Sequence, residues 1–165
     1  MPQTMSTPRE LLLHELGDIY YAENVLLKAL PTMADEAQDD ELRSGFEQHA
    51  EETRQQVENL RQAFEALGEL AAGERCPAIE GIKAEHDEFL RDHDTAPEIR
   101  DLFLTGSGGR TEHYEIAAYT SLITMADSLG EDKVVHLLKE NLRQEQETLE
   151  KLETAGRRLA KNGNA

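Results

Sequence analysis

The 165-residue chain has a formal net charge of −17 and a single cysteine, Cys76. The charge argues against a nucleic-acid or anionic-membrane partner, because either would be repelled, and one cysteine excludes a disulfide within the chain. We see no secretory signal in the first residues, and no apolar stretch approaches the ~20 residues needed to span a bilayer. The sequence therefore predicts a cytoplasmic protein with one domain, residues 1–165, and with neither nucleic acid nor membrane as a partner.

The first predicted helix spans residues 8–36. Leucine, alanine and glutamate dominate the chain and aromatic residues make up only 5% of it, which favours helices throughout. Thr7 and Glu10 have the spacing of a capping box at the start of this helix. Its inward face is apolar except for one charged residue, Glu23. Pro31 is expected to kink or end the helix near its last turns.

The second predicted helix spans residues 40–67, after an aspartate that can cap its first turn. Both ends of its inward face are apolar, but the middle is polar and contains His49, Thr53 and Gln56. Glu52 follows His49 by three residues, so the two side chains share a helix face. A polar segment between apolar ends is unusual in a plain core and indicates a functional site.

A connection of about 29 residues then carries a short predicted helix at 78–91. The other connections between long helices are short, which makes the first and second, and the third and fourth, antiparallel neighbours. One long crossover is the connectivity of ferritin-like bundles. We therefore predict an all-α, ferritin-like four-helix bundle with one long crossover carrying an extra short helix.

The third long helix is predicted at 97–129, where Thr95 and Glu98 match a capping box. Gly106, Gly108 and Gly109 weaken it, since each helical glycine costs about 1 kcal/mol relative to alanine. The pattern leaves open whether these glycines break the helix or let another backbone approach closely.

Glutamates also interrupt the inward faces of the third and fourth long helices. Glu112 and Glu115 are three residues apart and share a face with Tyr119. The fourth helix, predicted at 131–161, has the most regular apolar face, and Glu145 is its one charged interruption. Each of the four long helices thus has glutamate on or beside its inward face, near its middle.

Antiparallel packing brings these glutamates to one level of the bundle. Burying a carboxylate without a positive partner costs several kcal/mol or more, and metal ions would supply that partner. The oxygen-rich donor set favours iron or manganese over softer metals, with zinc as an open alternative. The donor set does not choose between iron and manganese; we expect iron, with manganese as the alternative. We predict a site for two metal ions, with catalytic residues unassigned and the metal ligands Glu23, His49, Glu52, Glu112, Glu115 and Glu145.

Several motifs resemble the YciF-like stress proteins of bacteria, a branch of the ferritin-like di-iron superfamily. The resemblance extends over residues 15–152 and rests on the segments Asp18–Glu23, Leu27–Pro31, His49–Thr53 and Glu112–Tyr119. It implies a di-iron-type bundle that forms a homodimer and whose reaction is poorly defined. The segment 106–109 departs from the family pattern, and the Glu-x-x-His motif of the wider superfamily is absent from this sequence. The sequence therefore predicts a metal site with more carboxylate ligands than is usual in that superfamily.

A second group of residues is predicted to support the ligands: Tyr20, Thr53, Gln56, His113 and Tyr119. The two tyrosines lie one helical turn from a glutamate ligand, and could bond to it, pass an electron or simply fill the core. His113 is either near the metal or a packed or dimer-facing histidine. The remaining histidines are expected at the surface: His14, His86, His93 and His136.

Three functions fit this pattern. The first is a di-metal oxidoreductase that reacts with dioxygen or hydrogen peroxide in a stress response, and whether it is a true enzyme stays open. The second is an iron-handling or storage protein, although storage needs a hollow multimer that nothing in the sequence specifies. The third is a metal-free, stress-induced binding protein, in which most of the crowded carboxylates would have to be protonated.

Overall fold

The structure, a computed structural model, describes residues 4–163, and within that range it contains five helices and no strand. These are α1 (Pro8–Glu36), α2 (Asp40–Ala66), α3 (Pro77–Asp92), α4 (Pro97–Ser128) and α5 (Asp132–Asn162). Each boundary lies within one residue of the expected one. The all-α prediction is confirmed, while the ends of the expected domain, residues 1–3 and 164–165, lie outside the described range.

Helices α1, α2, α4 and α5 pack side by side as a four-helix bundle. Short links at 37–39 and 129–131 join α1 to α2 and α4 to α5. Each helix contacts two others across the bundle, with α1 against α2 and α4, and α5 against α2 and α4. The crossover from α2 to α4 carries α3, which packs on α4. This is the predicted ferritin-like arrangement with one long crossover.

Two apolar clusters fill the bundle. The first apolar cluster includes Leu12, Leu16, Ile19, Leu60, Leu122 and Leu138. The second apolar cluster includes Leu30, Met33, Leu42, Phe46, Leu104 and Leu152. A buried polar layer lies between them and holds Glu23, His49, Glu112, Glu115 and Glu145. The apolar side chains face one another inside the bundle, and no helix among residues 4–163 is long and apolar enough to cross a membrane.

The helix starts follow the expected caps in two cases out of three. Thr7 accepts a hydrogen bond from the Glu10 backbone N–H while the Glu10 carboxylate accepts one from the Thr7 N–H, so the capping box is confirmed. Asp39 caps α2. The capping box expected at Thr95 is wrong, because α4 starts after Ala96 with no side-chain cap. A proline in the first turn of α4 supplies a preset backbone angle instead.

Pro31 does not end α1, which continues to Glu36. The proline lies on the exposed face, so the carbonyl that loses its helical partner can meet water. Beyond it, Met33 and Ala34 are buried in the second apolar cluster and hold the last turns in place.

The glycine-rich segment of α4 is helical throughout. A Cβ at Gly108 would lie 2.9 Å from Cδ1 of Leu152, and one at Gly156 would lie 3.2 Å from Oγ1 of Thr105. Both contacts are tighter than ordinary van der Waals packing. The glycines at 108 and 156 therefore let α4 and α5 approach closely, which decides the question that the sequence left open.

Candidate metal centre

Four buried side chains from three helices converge in the polar layer. Each of His49 on α2, Glu112 and Glu115 on α4, and Glu145 on α5 offers one nitrogen or oxygen atom within 4.8 Å of the others. None of the four is more than 3% exposed. The three-residue spacing on α4 puts both of its carboxylates on the same face, so one helix supplies two of the four groups.

Glu23 adds a carboxylate from α1 and is fully buried. Its Oε1 accepts a 2.5 Å hydrogen bond from the hydroxyl of Tyr119. Asn141 in turn donates to that hydroxyl at 3.1 Å and accepts from Asn59 at 2.8 Å. A chain of side-chain hydrogen bonds thus fixes Oε1 of Glu23, whereas Oε2 has no hydrogen-bond partner among residues 4–163.

His49 lies among carboxylates on both sides of its ring. Its Nε2 is 3.1 Å from Oε1 of Glu112 and 3.6 Å from Oε2 of Glu145. Its Nδ1 is 3.3 Å from Oε2 of Glu52 and 3.2 Å from the hydroxyl of Thr148. Burial lowers the pKa of His49, but the charge and hydrogen bond of Glu112 outweigh that effect and raise it to about 10. Without a metal, the imidazolium is therefore the positive partner of this layer.

Glu52 differs from the other predicted ligands. Its side chain is 22% exposed, and its carboxylate contacts His49 Nδ1 and accepts a 2.9 Å hydrogen bond from Gln48. Like Glu23, it lies outside the converging group of four. In this position Glu52 orients the imidazole, because a carboxylate on one ring nitrogen directs the other nitrogen at the site. Its role as a ligand stays a prediction.

Burial and mutual repulsion change the acidity of the glutamates. Burial raises the pKa of Glu115 well above its ordinary value, and the charges of Glu23 and Glu112 add to the rise. Burial raises the pKa of Glu145 in the same direction, helped by Glu115 and Glu112. Burial also raises the pKa of Glu23, to about 7, although the Tyr119 hydrogen bond opposes the change. The layer therefore favours positive charge, as protons or as metal.

Several buried oxygens of these carboxylates have no hydrogen-bond partner within residues 4–163. They are Oε2 of Glu23, Oε2 of Glu112, and both oxygens of Glu115 and of Glu145. Buried polar atoms are usually paired, because an unpaired one loses its bonds to water without replacement. Oxygen donors that point at one another around an imidazole nitrogen are the arrangement that a divalent cation satisfies. The residues present thus fit a metal centre.

The five predicted supporting residues lie at different distances from this layer. Thr53 is buried and donates to the backbone carbonyl of His49 at 2.8 Å. Gln56 is fully buried, and its side-chain amide has no partner in the described part of the chain. Tyr119 bonds to Glu23, as above. Tyr20 packs edge-on against Phe64, and His113 is exposed.

Sequence reasoning missed three other buried polar groups. Asn59 and Asn141 belong to the Tyr119 network, and Thr148 bonds to His49. The sequence marks two of these residues only by their spacing from a predicted ligand: Asn141 precedes Glu145 by one helical turn, and Thr148 follows it by three residues. Such spacing is too common to identify a site.

The expectation that His86 lies at the surface is wrong. The residue is 7% exposed, with Nδ1 2.8 Å from the Ser107 hydroxyl and Nε2 2.9 Å from Oε2 of Glu36. It joins α3 to α4 and to the end of α1. Both partners are distant in sequence, so local pattern could not reveal them.

The fold and the carboxylate-rich layer define a ferritin-like helical bundle with a group of His and Glu residues able to hold a metal. Residues 7–164 match the family described as "Domain of unknown function (DUF892)", and the chain belongs to this family. Protein YciF of Escherichia coli (strain K12) is 37% identical over 145 residues, which is 87% of each chain. The resemblance to YciF-like proteins is therefore confirmed.

Solved structures of similar proteins have the same fold as this chain. The crystal structure of the E. coli stress protein YciF has a TM-score of 0.90 at 34% identity and covers 95% of this chain and 99% of its own. The structure of YcfI from Rhodopseudomonas palustris also scores 0.90, at 40% identity, over 93% of this chain and 98% of that one. A two-domain protein from Anabaena variabilis, with DJ-1/ThiJ/PfpI-like and ferritin-like domains, scores 0.60 at 15% identity over 97% of this chain and 39% of that one, which supports the fold alone.

Proposed function

We propose that this chain is a cytoplasmic di-metal protein of a stress response that reduces a peroxide or dioxygen in its bundle core. The observation that carries the proposal is the convergence of His49, Glu112, Glu115 and Glu145 within 4.8 Å, with several carboxylate oxygens that have no hydrogen-bond partner among residues 4–163. A metal-free core has no structural need for such a cluster. Similarity to YciF, which is described as a stress protein, supports the physiological context.

The metal ions would be held by Glu23, His49, Glu112, Glu115 and Glu145, with Glu52 as an additional candidate. Two ferrous ions, if bound there, would supply the two electrons that, with two protons, reduce a peroxide to water and an alcohol or a second water; the same two electrons and two protons would take dioxygen to hydrogen peroxide. The oxygen-rich donor set with one imidazole suits iron or manganese, and metal analysis would reveal zinc as a competing occupant.

The protein's own residues set the conditions for this chemistry. His49 presents Nε2 to the site as a neutral ligand when Nδ1–H is donated to Glu52. Tyr119 holds one oxygen of Glu23 and so limits how that carboxylate can turn. The first apolar cluster packs against one side of the layer and excludes bulk water there, which strengthens the charge interactions on that side.

Elemental analysis of protein purified without chelators tests the metal. We expect iron or manganese to copurify or to bind on reconstitution, and Glu115→Gln to lose most of it while the exposed Glu147→Gln retains it. Anaerobic ferrous loading followed by hydrogen peroxide should then consume peroxide faster than free iron does. Substoichiometric metal with no uptake would contradict the proposal and leave a metal-free binding protein.

The proposal includes a homodimer, which light scattering would report as twice the 18.5 kDa mass of one chain. A hollow multimer would instead favour the iron-storage alternative.

A further inference from the structure

A cavity of about 270 Å³ leads from the surface of the bundle into the polar layer. It lies within the second apolar cluster, between α1, α2, α4 and α5. Its outer wall includes Ser44, Gly45 and Gln48, which are exposed on α2. Its inner end is formed by His49, Glu112 and other polar groups of the candidate metal centre.

The walls of this cavity are mainly apolar. The aliphatic and aromatic side chains that line it are Leu26, Leu30, Met33, Leu42, Phe46 and Leu152. A wall of this kind favours hydrocarbon over water, because apolar surface that a ligand buries there is removed from water. The polar groups are concentrated at the inner end, where the hydroxyls of Thr111 and Thr148 join the imidazole and the carboxylate.

The charges at the cavity opening do not attract an anion. Glu52 and Lys151 carry opposite charges there, and the Glu41 carboxylate is 3.1 Å from the Arg158 guanidinium, so the opening has no excess of positive charge. The net charge of −17 on the chain repels anionic molecules at longer range. An occupant with a carboxylate or phosphate head would therefore meet repulsion as it approaches, whereas a neutral molecule would not.

The volume limits the size of the occupant. An apolar protein cavity of ~150 Å³ holds benzene, and drug-sized ligands occupy ~300–1,000 Å³. The cavity lies between these values, which suits a molecule the size of a substituted benzene or a short branched chain. Hydrogen peroxide or dioxygen alone would leave most of the apolar wall without contact.

We propose that this cavity binds a neutral, largely apolar organic hydroperoxide, with its oxygen-bearing end at His49 and Glu112 and its hydrocarbon body among the leucines. This rests on the proposed function, and it names the substrate class of that site. The alcohol that peroxide reduction leaves behind has the same body and binds in the same way. A molecule of this shape uses both the apolar wall and the polar inner end.

Binding is measured first on the metal-free protein, with cumyl alcohol as a stable probe in isothermal titration calorimetry. Gly45→Leu adds a side chain at the cavity wall, where an added Cβ has nothing within 4 Å in the described part of the chain. We expect Gly45→Leu to raise the dissociation constant for cumyl alcohol about tenfold or more, because the added side chain occupies part of the cavity. Gly81→Leu is the matched control, since Gly81 is also helical, exposed and open but does not line the cavity.

A second variant covers the case in which the new leucine turns toward solvent. Ala155 is buried and lines the cavity from α5, so Ala155→Leu fills it from the opposite wall. Circular dichroism and thermal unfolding confirm that each variant folds. Absence of cumyl alcohol binding by the wild type would overturn the proposal, as would equal binding by both cavity variants and the control.

The metal-loaded protein gives the second readout. We expect Gly45→Leu to slow consumption of cumene hydroperoxide about tenfold more than it slows consumption of hydrogen peroxide, because only the larger peroxide uses the apolar wall. Equal slowing of both peroxides would contradict an organic substrate. Cumyl alcohol binding without any metal uptake would refute the proposed function and leave the cavity as a ligand site, whereas metal uptake without alcohol binding would refute only the cavity proposal.

Discussion

The hydroxyl of Tyr119 on α4 donates a 2.5 Å hydrogen bond to Oε1 of Glu23 on α1, where both residues are fully buried. This bond crosses the bundle beside the converging carboxylates and restrains one of them. It also opposes the rise that burial causes in the pKa of Glu23. The tyrosine predicted to support the site thus contacts a ligand candidate from another helix.

Tyr119→Phe is expected to destabilise the metal-free protein by about 1–3 kcal/mol. The substitution leaves the buried Glu23 carboxyl without its donor and removes one of the two acceptors of the Asn141 amide, which keeps the Gln56 carbonyl. Urea denaturation in the presence of a chelator measures the effect. Tyr20→Phe is the control, because Tyr20 is only half-buried and its ring contact with Phe64 survives the change. Equal stability of the two variants would show that the buried bond contributes little.

Glu145→Leu should stabilise the metal-free protein while abolishing stabilisation by metal. Burial and the charges of Glu115 and Glu112 disfavour the ionised form of Glu145, so an uncharged leucine at this position relieves both costs. Metal at one hundred times its dissociation constant would add roughly 2.7 kcal/mol to the wild type and nothing comparable to this variant. Thermal unfolding with and without metal tests both parts, with the exposed Glu150→Leu as control.

The opposite pattern would place Glu145 outside the metal site. If Glu145→Leu destabilised the metal-free protein and left metal uptake intact, the carboxylate would serve a structural ion pair with His49, from which it lies 3.6 Å.

The site glutamates could be predicted because each breaks a regular apolar pattern. In the sequence, Glu145 is the one charged residue in the spaced series of leucines that includes Leu142 and Leu149, and Glu23 interrupts the series on α1 in the same way. Helical periodicity specifies which face a residue occupies, and antiparallel packing specifies its height. These two rules were sufficient to predict that glutamates from different helices meet.

Other features depend on side-chain packing that periodicity does not encode. Glu52 shares a face with His49, but its rotamer turns it to the outer ring nitrogen and away from the group of four. His86 finds Glu36 and Ser107 only because the crossover places α3 against the bundle. The cavity likewise arises from the shapes of side chains on four helices, which no single-helix pattern contains.

His86→Ala is expected to loosen α3. The buried imidazole bonds to Ser107 on α4 and to Glu36 on α1, and its removal leaves both groups without that partner. An unsatisfied buried group costs about 1–3 kcal/mol. Hydrogen exchange should therefore speed up across residues 77–92 while the α5 backbone is unaffected. His136→Ala is the control, because His136 is an exposed histidine on α5. Equal exchange in α3 for both variants would show that the His86 hydrogen bonds do not hold α3 against the bundle.

The metal-free protein should become more stable as the pH falls from 8 to 6. The pKa values of Glu23, Glu115 and Glu145 are raised by burial first, and that of His49 is raised to about 10 by Glu112 against burial. Groups whose folded pKa exceeds the unfolded value bind protons more tightly in the folded state. Their stabilisation is full below the unfolded value and is lost as the pH rises through the folded one.

For the glutamates this window runs upward from an unfolded pKa of ~4.3, and for His49 from ~6.5. Glu52 acts in the opposite sense, because the His49 hydrogen bond lowers its pKa, but its effect is confined to pH below the ordinary glutamate value.

Each additional proton bound by the folded state contributes about 1.4 kcal/mol per pH unit. Urea denaturation with chelator at pH 6, 7 and 8 should show this slope, and Glu145→Leu should reduce it by removing one of the titrating groups. A wild-type slope of zero or of opposite sign would mean that these carboxylates reach solvent in the metal-free protein, which their burial argues against.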